Sequence, residues 1–231
     1  MSNRHEYIVS RIRDIQSPNT PAEKICQVAA EVLQCDIVSI CLTIASSYSP
    51  VATTNTLGTY LDEEQFVLGD GPTFASQFSS TPIHVENFQS KKSADLYPAF
   101  AKVALKHNVI SSHAFQLTIG SAQIGALTLY WKHPVSLNAD YYADSLILAT
   151  LATAELVRLQ AGIDDDSVNE MFEMQQLRKS VLQIAAGMTA EKLNCNVIEA
   201  LVRIRAYAFS EDLPVTEVAK RIVNRKISIE K

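Results

Sequence analysis

The stretch SHAFQLTIGSAQIGALTLYW, residues 112–131, predicts two β-strands joined by a tight turn. We place the strands at Ser112–Ile119 and Gln123–Trp131, on either side of Gly120-Ser121, a pair typical of a hairpin. A hairpin makes two consecutive strands antiparallel neighbours. The stretch therefore predicts an antiparallel sheet.

Helices and strands also precede this hairpin. Thr20-Pro21-Ala22-Glu23 fits a capping box with proline at the first helical position, and apolar residues follow at helical spacing. Asp36–Ala45 and Ser49–Asn55 are predicted strands. Thr59–Gln89 is a polar segment with helical stretches, broken by the turn signal Gly69-Asp70-Gly71-Pro72.

Two further helices complete the first part of the chain. A short helix is predicted at Tyr97–His107, and Asn138 opens a helix of about 24 residues. Together with the strands they predict an α+β fold, in which helices flank an antiparallel sheet.

The C-terminal part is predicted to be all-helical. The first helix carries apolar residues at alternating steps of three and four, which predicts a coiled-coil extension and a dimer seam: Met174, Leu177, Val181, Ile184 and Met188. Packing of this face within its own domain explains the same pattern. Apolar stripes from Val197 to Ala208 and from Val215 to Val223 mark the next two helices, separated by Pro214.

Charge divides the chain in the same way. The 231 residues carry a net charge of −5, but residues 1–167 hold 10 basic and 17 acidic side chains, whereas residues 168–231 hold 10 and 8. Gly162 and the acidic run Asp164–Ser167 mark the boundary. We therefore predict domains at 1–162 and 168–231, and expect any polyanion to bind the second.

Composition excludes several classes of protein. With 47% hydrophobic and 19% charged residues, the chain is not a disordered one. It shows neither a signal peptide nor a membrane span, so we expect a cytoplasmic protein without a membrane partner. Four scattered cysteines and five histidines without metal-ligand spacing predict no metal site. We also expect no catalytic residues and no cofactor.

The C-terminal helices resemble the ANTAR domain, an RNA-binding module of bacterial transcription antiterminators. The likeness covers about residues 171–227 and rests on five segments: Gln183-Ile-Ala-Ala-Gly-Met188, Ala190-Glu-Lys-Leu193, Glu199-Ala-Leu201, Arg205-Ala-Tyr-Ala208 and Thr216-Glu-Val-Ala219. It implies a three-helix bundle that binds paired hairpin loops of nascent RNA. Many members carry a lysine where this chain has Ala186.

The N-terminal part is similar to the GAF domains that are attached to ANTAR domains. The likeness covers about residues 19–160 and rests on four segments: Gln65-Phe-Val-Leu-Gly-Asp-Gly-Pro72, Tyr97-Pro-Ala-Phe100, Val109-Ile-Ser111 and Ile124-Gly-Ala-Leu-Thr-Leu-Tyr130. It implies a sensor domain. Family members often have cysteine after the Gly-Pro, where this chain has Thr73, so covalent attachment of a chromophore there is not expected.

Candidate site residues follow from these resemblances and from the helix faces outside the apolar stripes. Predicted RNA contacts are Gln183, Gly187, Lys192, Arg203, Arg205, Tyr207, Thr216, Lys220 and Arg221. A ligand pocket is predicted between the sheet and Thr59–Gln89, with walls from Phe66, Phe74, Phe78, Phe115 and Tyr130. Solvated surface charge and core packing are the ordinary alternatives for the two sets.

The sequence thus predicts a homodimeric regulator of transcription antitermination. Its GAF-like part would receive a signal from a small molecule or a protein partner, and its ANTAR-like part would bind RNA. Two other classes stay open. One is a DNA-binding regulator, because a basic three-helix domain can imitate helix-turn-helix. The other is a redox enzyme that uses Cys26, Cys35 and Cys41.

Overall fold

A computed structural model of the chain describes residues 2–15, 19–44, 47–160, 181–211 and 213–229. Side chains are described within these ranges except at positions 2, 3, 44, 47 and 198. Contacts divide the chain into two compact units, Met1–Asp165 and Asp166–Lys231. Met174 and Leu177 of the predicted seam, and the acidic run at 164–167, lie outside the described residues.

The first unit is built on a five-stranded antiparallel sheet. Its strands are β1 (Ile37–Ile44), β2 (Ser47–Thr53), β3 (Ile83–Val85), β4 (Ser111–Ile119) and β5 (Ala122–Trp131). They lie in the order β2-β1-β5-β4-β3, so the predicted hairpin β4–β5 occupies the middle of the sheet. The predicted α+β fold with an antiparallel sheet is confirmed. The three-residue strand β3 was not predicted, because so short a strand shows no periodicity.

Helices cover both faces of this sheet. They are α1 (Ser2–Asp14), α2 (Pro21–Leu33), α3 (Thr56–Leu68), α4 (Pro72–Ser76), α5 (Lys91–Leu96), α6 (Phe100–Lys106) and α7 (Ala139–Gln160). The predicted capping box opens α2: the Glu23 amide donates to Thr20 Oγ1 over 3.3 Å, and the Thr20 amide donates to the Glu23 carboxylate over 2.9 Å.

Alternation along β4 and β5 separates two chemically different faces. Phe115 lies opposite Leu127 in the ladder, and its ring lies 5.9 Å from Tyr142 of α7, so these residues face α7. Thr128 and Tyr130 alternate with Leu127 along β5 and point to the other face. Their hydroxyl groups bond there to side chains of α3 and α4. This second face positions the candidate site.

The second unit contains α8 (181–193), α9 (Val197–Ser210) and α10 (Val215–Val223). The Asn196 side chain caps α9 by accepting the Glu199 amide over 2.8 Å. The helices bury small and branched apolar side chains: Ala185, Ala186, Ala190, Leu193, Ala200, Ile204, Ala208, Val215, Val218, Ala219 and Ile222. Apolar burial of this kind supplies most of the stability of short helices.

The Gly69–Pro72 turn joins α3 to α4 and also caps a third helix. Gly69 ends α3 in the left-handed conformation, with φ of 65°. The Asp70 carboxylate then accepts the backbone amides of Ala99 and Phe100, over 2.8 and 2.9 Å, at the start of α6. One turn residue therefore connects two segments that lie far apart in the sequence.

We expect Asp70→Ala to lower the free energy of unfolding by about 1–2 kcal/mol, because two amides lose a charge-assisted acceptor. Urea denaturation measures the change. Asp95→Ala is the matched control, since Asp95 lies exposed on α5. Equal stability of the two variants would contradict the capping role of Asp70.

Candidate functional site

A cluster of buried polar side chains lies between the sheet and helices α3 and α4. We call it the Asp62 cluster; its members are Asp62 and Gln65 of α3, Thr73 of α4, and Thr128 and Tyr130 of β5. Each of these side chains has a relative exposure of 0%. Buried polar groups cost free energy unless they are hydrogen-bonded, so the partners of each atom matter.

Most of the polar atoms in the cluster have partners. Asp62 Oδ1 accepts hydrogen bonds from the hydroxyl groups of Tyr130 and Thr73. Gln65 Nε2 donates to the Tyr130 and Thr73 hydroxyls, over 2.8 Å in each case, and Gln65 Oε1 accepts the Thr73 amide over 2.7 Å. Thr128 and Thr73 join their hydroxyl groups over 3.0 Å. The network connects α3, α4 and the central strand β5.

Gly71 allows the close approach that this network requires. Its φ of 119° is disfavoured for residues with a side chain. A Cβ atom at this position would lie 2.5 Å from the Gln65 side chain. The Gly-Pro step therefore places Thr73 against Gln65 in a way that a larger residue would prevent.

Four polar atoms on this face of the sheet have no hydrogen-bond partner among the described residues. They are Asp62 Oδ2, Ser39 Oγ of β1, Tyr48 Oη of β2 and Ser112 Oγ of β4, which lies opposite Tyr130. Ser39 lies opposite Thr128 in the β1–β5 ladder, which places it on the side of the cluster. A buried carboxylate oxygen without a donor is uncommon, and it marks this face as a candidate binding site.

Burial dominates the electrostatics of the cluster. It raises the pKa of Asp62 from 3.8 to about 6, although the nearby hydroxyl groups of Ser39, Tyr130 and Thr73 oppose the shift. Burial also raises the pKa of the Tyr48 and Tyr130 hydroxyls, and the Asp62 charge adds to both shifts. None of the groups with the largest effects on the Asp62 pKa is basic.

Aromatic rings extend from the cluster to the surface. Tyr48 stacks on Phe66 with 4.5 Å between ring centroids, Phe66 meets Phe74 at 5.6 Å, and Phe74 meets Phe78 at 5.4 Å. We call these four rings the aromatic ladder. Its outer end is open to solvent, because Phe78 is 75% exposed.

The predicted pocket walls divide between the two faces of the sheet. Phe66, Phe74 and Phe78 belong to the aromatic ladder, and Tyr130 belongs to the Asp62 cluster. The placement of Phe115 beside them is wrong. In the β4–β5 strand pairing, Phe115 lies opposite Leu127, so its side chain points away from Tyr130 and toward α7. Tyr48, Ser39 and Asp62 were not predicted as part of a pocket.

A pair of histidines occupies the opposite face, beside Phe115. The Nδ1 atoms of His84 and His113 lie 3.0 Å apart, and His113 Nε2 lies 3.2 Å from the Val135 carbonyl oxygen. Because a carbonyl only accepts, we assign the His113 proton to Nε2 and the shared proton to His84 Nδ1. Burial and the neighbouring His84 lower the pKa of His113 to about 4. The pair is neutral at pH 7 and connects β3, β4 and the segment that precedes α7.

The cysteines of the redox alternative are poorly suited to that role. Cys26, Cys35 and Cys41 are buried, and burial raises the pKa of each thiol above its ordinary value. Protonated buried thiols are weak nucleophiles. Within the described ranges, no three histidine, cysteine, aspartate or glutamate side chains converge as metal ligands. In the part of the chain that the structure describes, no helix combines the length and apolarity needed to cross a membrane.

The candidate RNA-binding residues lie outside the core of the second unit. Gln183, Gly187, Lys192 and Lys220 are exposed, whereas Arg203, Arg205, Tyr207, Thr216 and Arg221 are half-buried. Two of the arginines each form an ion pair with a glutamate one turn earlier in the same helix. Arg203 pairs with Glu199 at 2.7 Å, and Arg221 pairs with Glu217 at 2.8 Å. Burial lowers the pKa of Arg205 below its ordinary value. Ala186, where many ANTAR domains carry lysine, is 0% exposed.

The described part of the predicted dimer seam lies on α8. Val181 and Met188 are half-buried, and Ile184 is 50% exposed. The buried face of α8 is formed by a different set of residues: Ala185, Ala186, Thr189, Ala190 and Leu193. The described residues of the unit therefore cover Val181 and Met188 only in part and leave Ile184 exposed.

Comparison with known proteins identifies the fold of the first unit. No protein-family model matches the chain, and no curated protein matches it either. Among solved structures, the chain is similar to the GAF domain of a phosphoenolpyruvate-protein phosphotransferase from Coxiella burnetii, with TM-score 0.52 and 16% identity over 70% of this chain and 95% of that one. The GAF domain of the Acinetobacter phosphoenolpyruvate-protein phosphotransferase gives TM-score 0.50 and 16% identity over 69% and 94%. The chain thus contains a GAF fold, as the sequence resemblance implied.

The buried carboxyl group predicts a pH-dependent stability. A folded-state pKa above the ordinary value means that ionised Asp62 destabilises the fold. The free energy of unfolding therefore falls as pH rises from about 4 to about 6 and Asp62 loses its proton. The total loss is about 3 kcal/mol. Asp62→Asn keeps an acceptor for Tyr130 and Thr73 but removes the charge. We expect its stability relative to wild type to increase through this pH range.

Urea denaturation at several pH values measures this difference. The His113 shift has the opposite sign, since stability from that group is lost as pH falls, but it is common to both proteins and cancels. Asp95→Asn, on the exposed surface of α5, should follow wild type at every pH. A difference between Asp62→Asn and wild type that does not change with pH would show that Asp62 titrates normally.

Proposed function

We propose that the chain is a regulator of transcription antitermination in bacteria. In this proposal, the unit that contains residues 168–231 binds paired hairpin loops of nascent RNA. Stabilising these hairpins prevents an overlapping terminator from forming, so transcription continues. The GAF fold receives the signal that controls this binding, and the protein is not an enzyme.

One observation carries the RNA-binding part of the proposal: five ANTAR-like segments keep their order and spacing across all three C-terminal helices. The structure is compatible with their use. Small apolar residues of these segments, such as Ala190, Ala208 and Ala219, are buried, whereas Lys192 is exposed and Arg205 is half-buried. Residues 168–231 also carry 10 basic against 8 acidic side chains, in contrast to the acidic first part.

The sensing role is supported by the GAF fold and by the unpartnered polar atoms on the side of the sheet that carries the Asp62 cluster. Thr73 follows the Gly-Pro step, so this position offers no thiol for covalent attachment. Its hydroxyl is already engaged with Asp62, Gln65 and Thr128. We therefore propose a non-covalent signal, either a small molecule or a contact with a protein.

A homodimer suits a target with two hairpins, because two copies of the second unit present two equivalent RNA sites. The seam position Ile184 on α8 supports this arrangement, since it is a large apolar side chain that the described residues leave 50% exposed. A second copy of the same helix would bury it.

The role of Arg205 is tested with Arg205→Gln, which keeps much of the apolar stem of this half-buried side chain. We expect RNA hairpin binding to weaken by about 1–3 kcal/mol, the loss of one stacked contact. The slope of log K against log salt should shrink by about 0.7 for each phosphate contact removed. A salt-titrated gel shift measures both.

Arg13→Gln is the matched control, because Arg13 is an exposed arginine on α1 of the first unit. Circular dichroism verifies that both variants are folded. Unchanged RNA affinity in folded Arg205→Gln would assign Arg205 to packing. In the same assay, unlabelled hairpin RNA should compete with the labelled RNA and duplex DNA should not. Efficient competition by DNA would instead favour a DNA-binding regulator.

The dimer is tested by placing charge in the seam. Val181→Asp combined with Ile184→Asp should convert the dimer to monomer in light scattering, because two carboxylates from each copy would meet in an apolar interface. Val202→Asp is the control, since Val202 is an exposed apolar residue of α9 outside the seam. A double variant that stays dimeric would place the interface elsewhere.

A further inference from the structure

The C-terminal segment of the second unit is basic. Residues 213–229 carry one acidic side chain and four basic ones, and the basic residues are Lys220, Arg221, Arg225 and Lys226. The acidic residue, Glu217, pairs with Arg221 at 2.8 Å. Lys220, Arg225 and Lys226 are exposed and form no ion pair with any described residue. Their charge is therefore open to an external anion.

A hydrogen-bonded turn follows α10 and places two of these charges side by side. The Arg225 amide donates to the Ile222 carbonyl over 2.9 Å, and the Lys226 amide donates to the Arg221 carbonyl over 2.8 Å. This pair of bonds is the Schellman motif, which satisfies carbonyl groups at the end of a helix. The motif fixes the backbone from which the Arg225 and Lys226 side chains extend.

The segment after the turn returns to α8. Ile229 is buried, and Lys192 Nζ donates to Ser228 Oγ over 2.5 Å. Because Ser228 is two residues after Lys226, their Cα atoms lie within about 7 Å of each other. Lys192, which is exposed, therefore joins the charges of the turn at one end of the unit. We call Lys192, Arg225 and Lys226 the C-terminal basic surface.

Arg225 occupies a backbone conformation that arginine disfavours. Its φ is 56°, in the left-handed region where a helix that ends in this motif usually has glycine. Glycine would form the same turn at lower cost, so the backbone does not explain the arginine. Attraction of a cation to the carboxyl end of the helix is one explanation, and it would contribute to stability. Binding of an external anion is the other.

We propose that the C-terminal basic surface binds phosphate groups of the RNA. This inference rests on the proposed RNA-binding function and adds Arg225 and Lys226 to its contacts. Their charges suit phosphates better than those of Arg203 and Arg221, which already pair with glutamates. Phosphate contacts supply affinity without sequence preference, so this surface holds the RNA while other residues contact the loop bases.

The test combines Arg225→Gln with Lys226→Gln in the full chain. A salt-titrated gel shift uses two labelled probes, an RNA with two adjacent hairpins and a single-stranded oligouridine. The slope of log K against log salt should shrink by about 1.4, since each phosphate contact removed accounts for about 0.7. At about 0.1 M salt this corresponds to an affinity about 25-fold lower. Lys91→Gln with Lys92→Gln changes an adjacent, exposed lysine pair on α5 of the first unit and should bind like wild type.

Single variants of Arg225 separate phosphate binding from stability. Arg225→Lys keeps the charge and should keep the wild-type salt slope. Arg225→Gly should reduce the slope by about 0.7 and unfold at an equal or higher temperature in circular dichroism, because glycine suits the left-handed φ. An Arg225→Gly variant that unfolds at a lower temperature and keeps the wild-type slope would assign the charge to the helix end and overturn the inference.

The two probes separate this inference from the proposed function. If wild type and the double variant bind hairpin RNA with the same slope, the inference is wrong and the proposed function stands. If wild type binds oligouridine but not hairpin RNA, and the double variant loses that binding, the basic surface stands and the antitermination function is wrong. Binding of neither RNA by wild type, or stronger binding of duplex DNA than of both RNAs, would overturn both.

Discussion

The hydrogen bond between Tyr130 and Asp62 is the interaction on which the arrangement of the first unit depends. Tyr130 lies on β5, which pairs with both β1 and β4 at the middle of the sheet. Through Asp62, Gln65 and Thr73 its hydroxyl group holds α3 and α4 against that strand. A buried polar connection is directional, whereas apolar packing is not. It therefore fixes the position of the helices and, with them, the one carboxylate oxygen that remains unpaired.

The elements with a strong local signal could be predicted from the sequence. The hairpin at 112–131 and the capping box at Thr20 are both present, because turn and cap chemistry act over a few residues. Helix α1 gives no such signal: it buries Ile8 and is held by ion pairs to distant residues, as in the 2.6 Å contact between Arg4 and Asp144. Long-range pairing of this kind leaves no periodicity to find.

The site was harder to predict than the fold. Asp62, Ser39 and Tyr48 belong to different elements, and only the folded chain brings them to one face of the sheet. The placement of Phe115 could have been predicted correctly, because the register of the hairpin determines the face on which each side chain lies. Residues opposite each other share a face, so Phe115 lies on the same face as Leu127. Tyr130 is three positions after Leu127 and therefore lies on the other face.

In the proposed function, sensing and RNA binding fall to different units of the chain. Net charge follows this division: residues 168–231 carry 10 basic and 8 acidic side chains, whereas residues 1–167 carry 10 and 17, and a polyanion favours the more basic part. Sequencing the RNA that is crosslinked to the protein in its own cells tests the central claim most directly. Our account predicts enrichment of transcript leaders in which two adjacent hairpins overlap a terminator. Crosslinked RNA without such leaders, in cells where the protein is abundant, would contradict it.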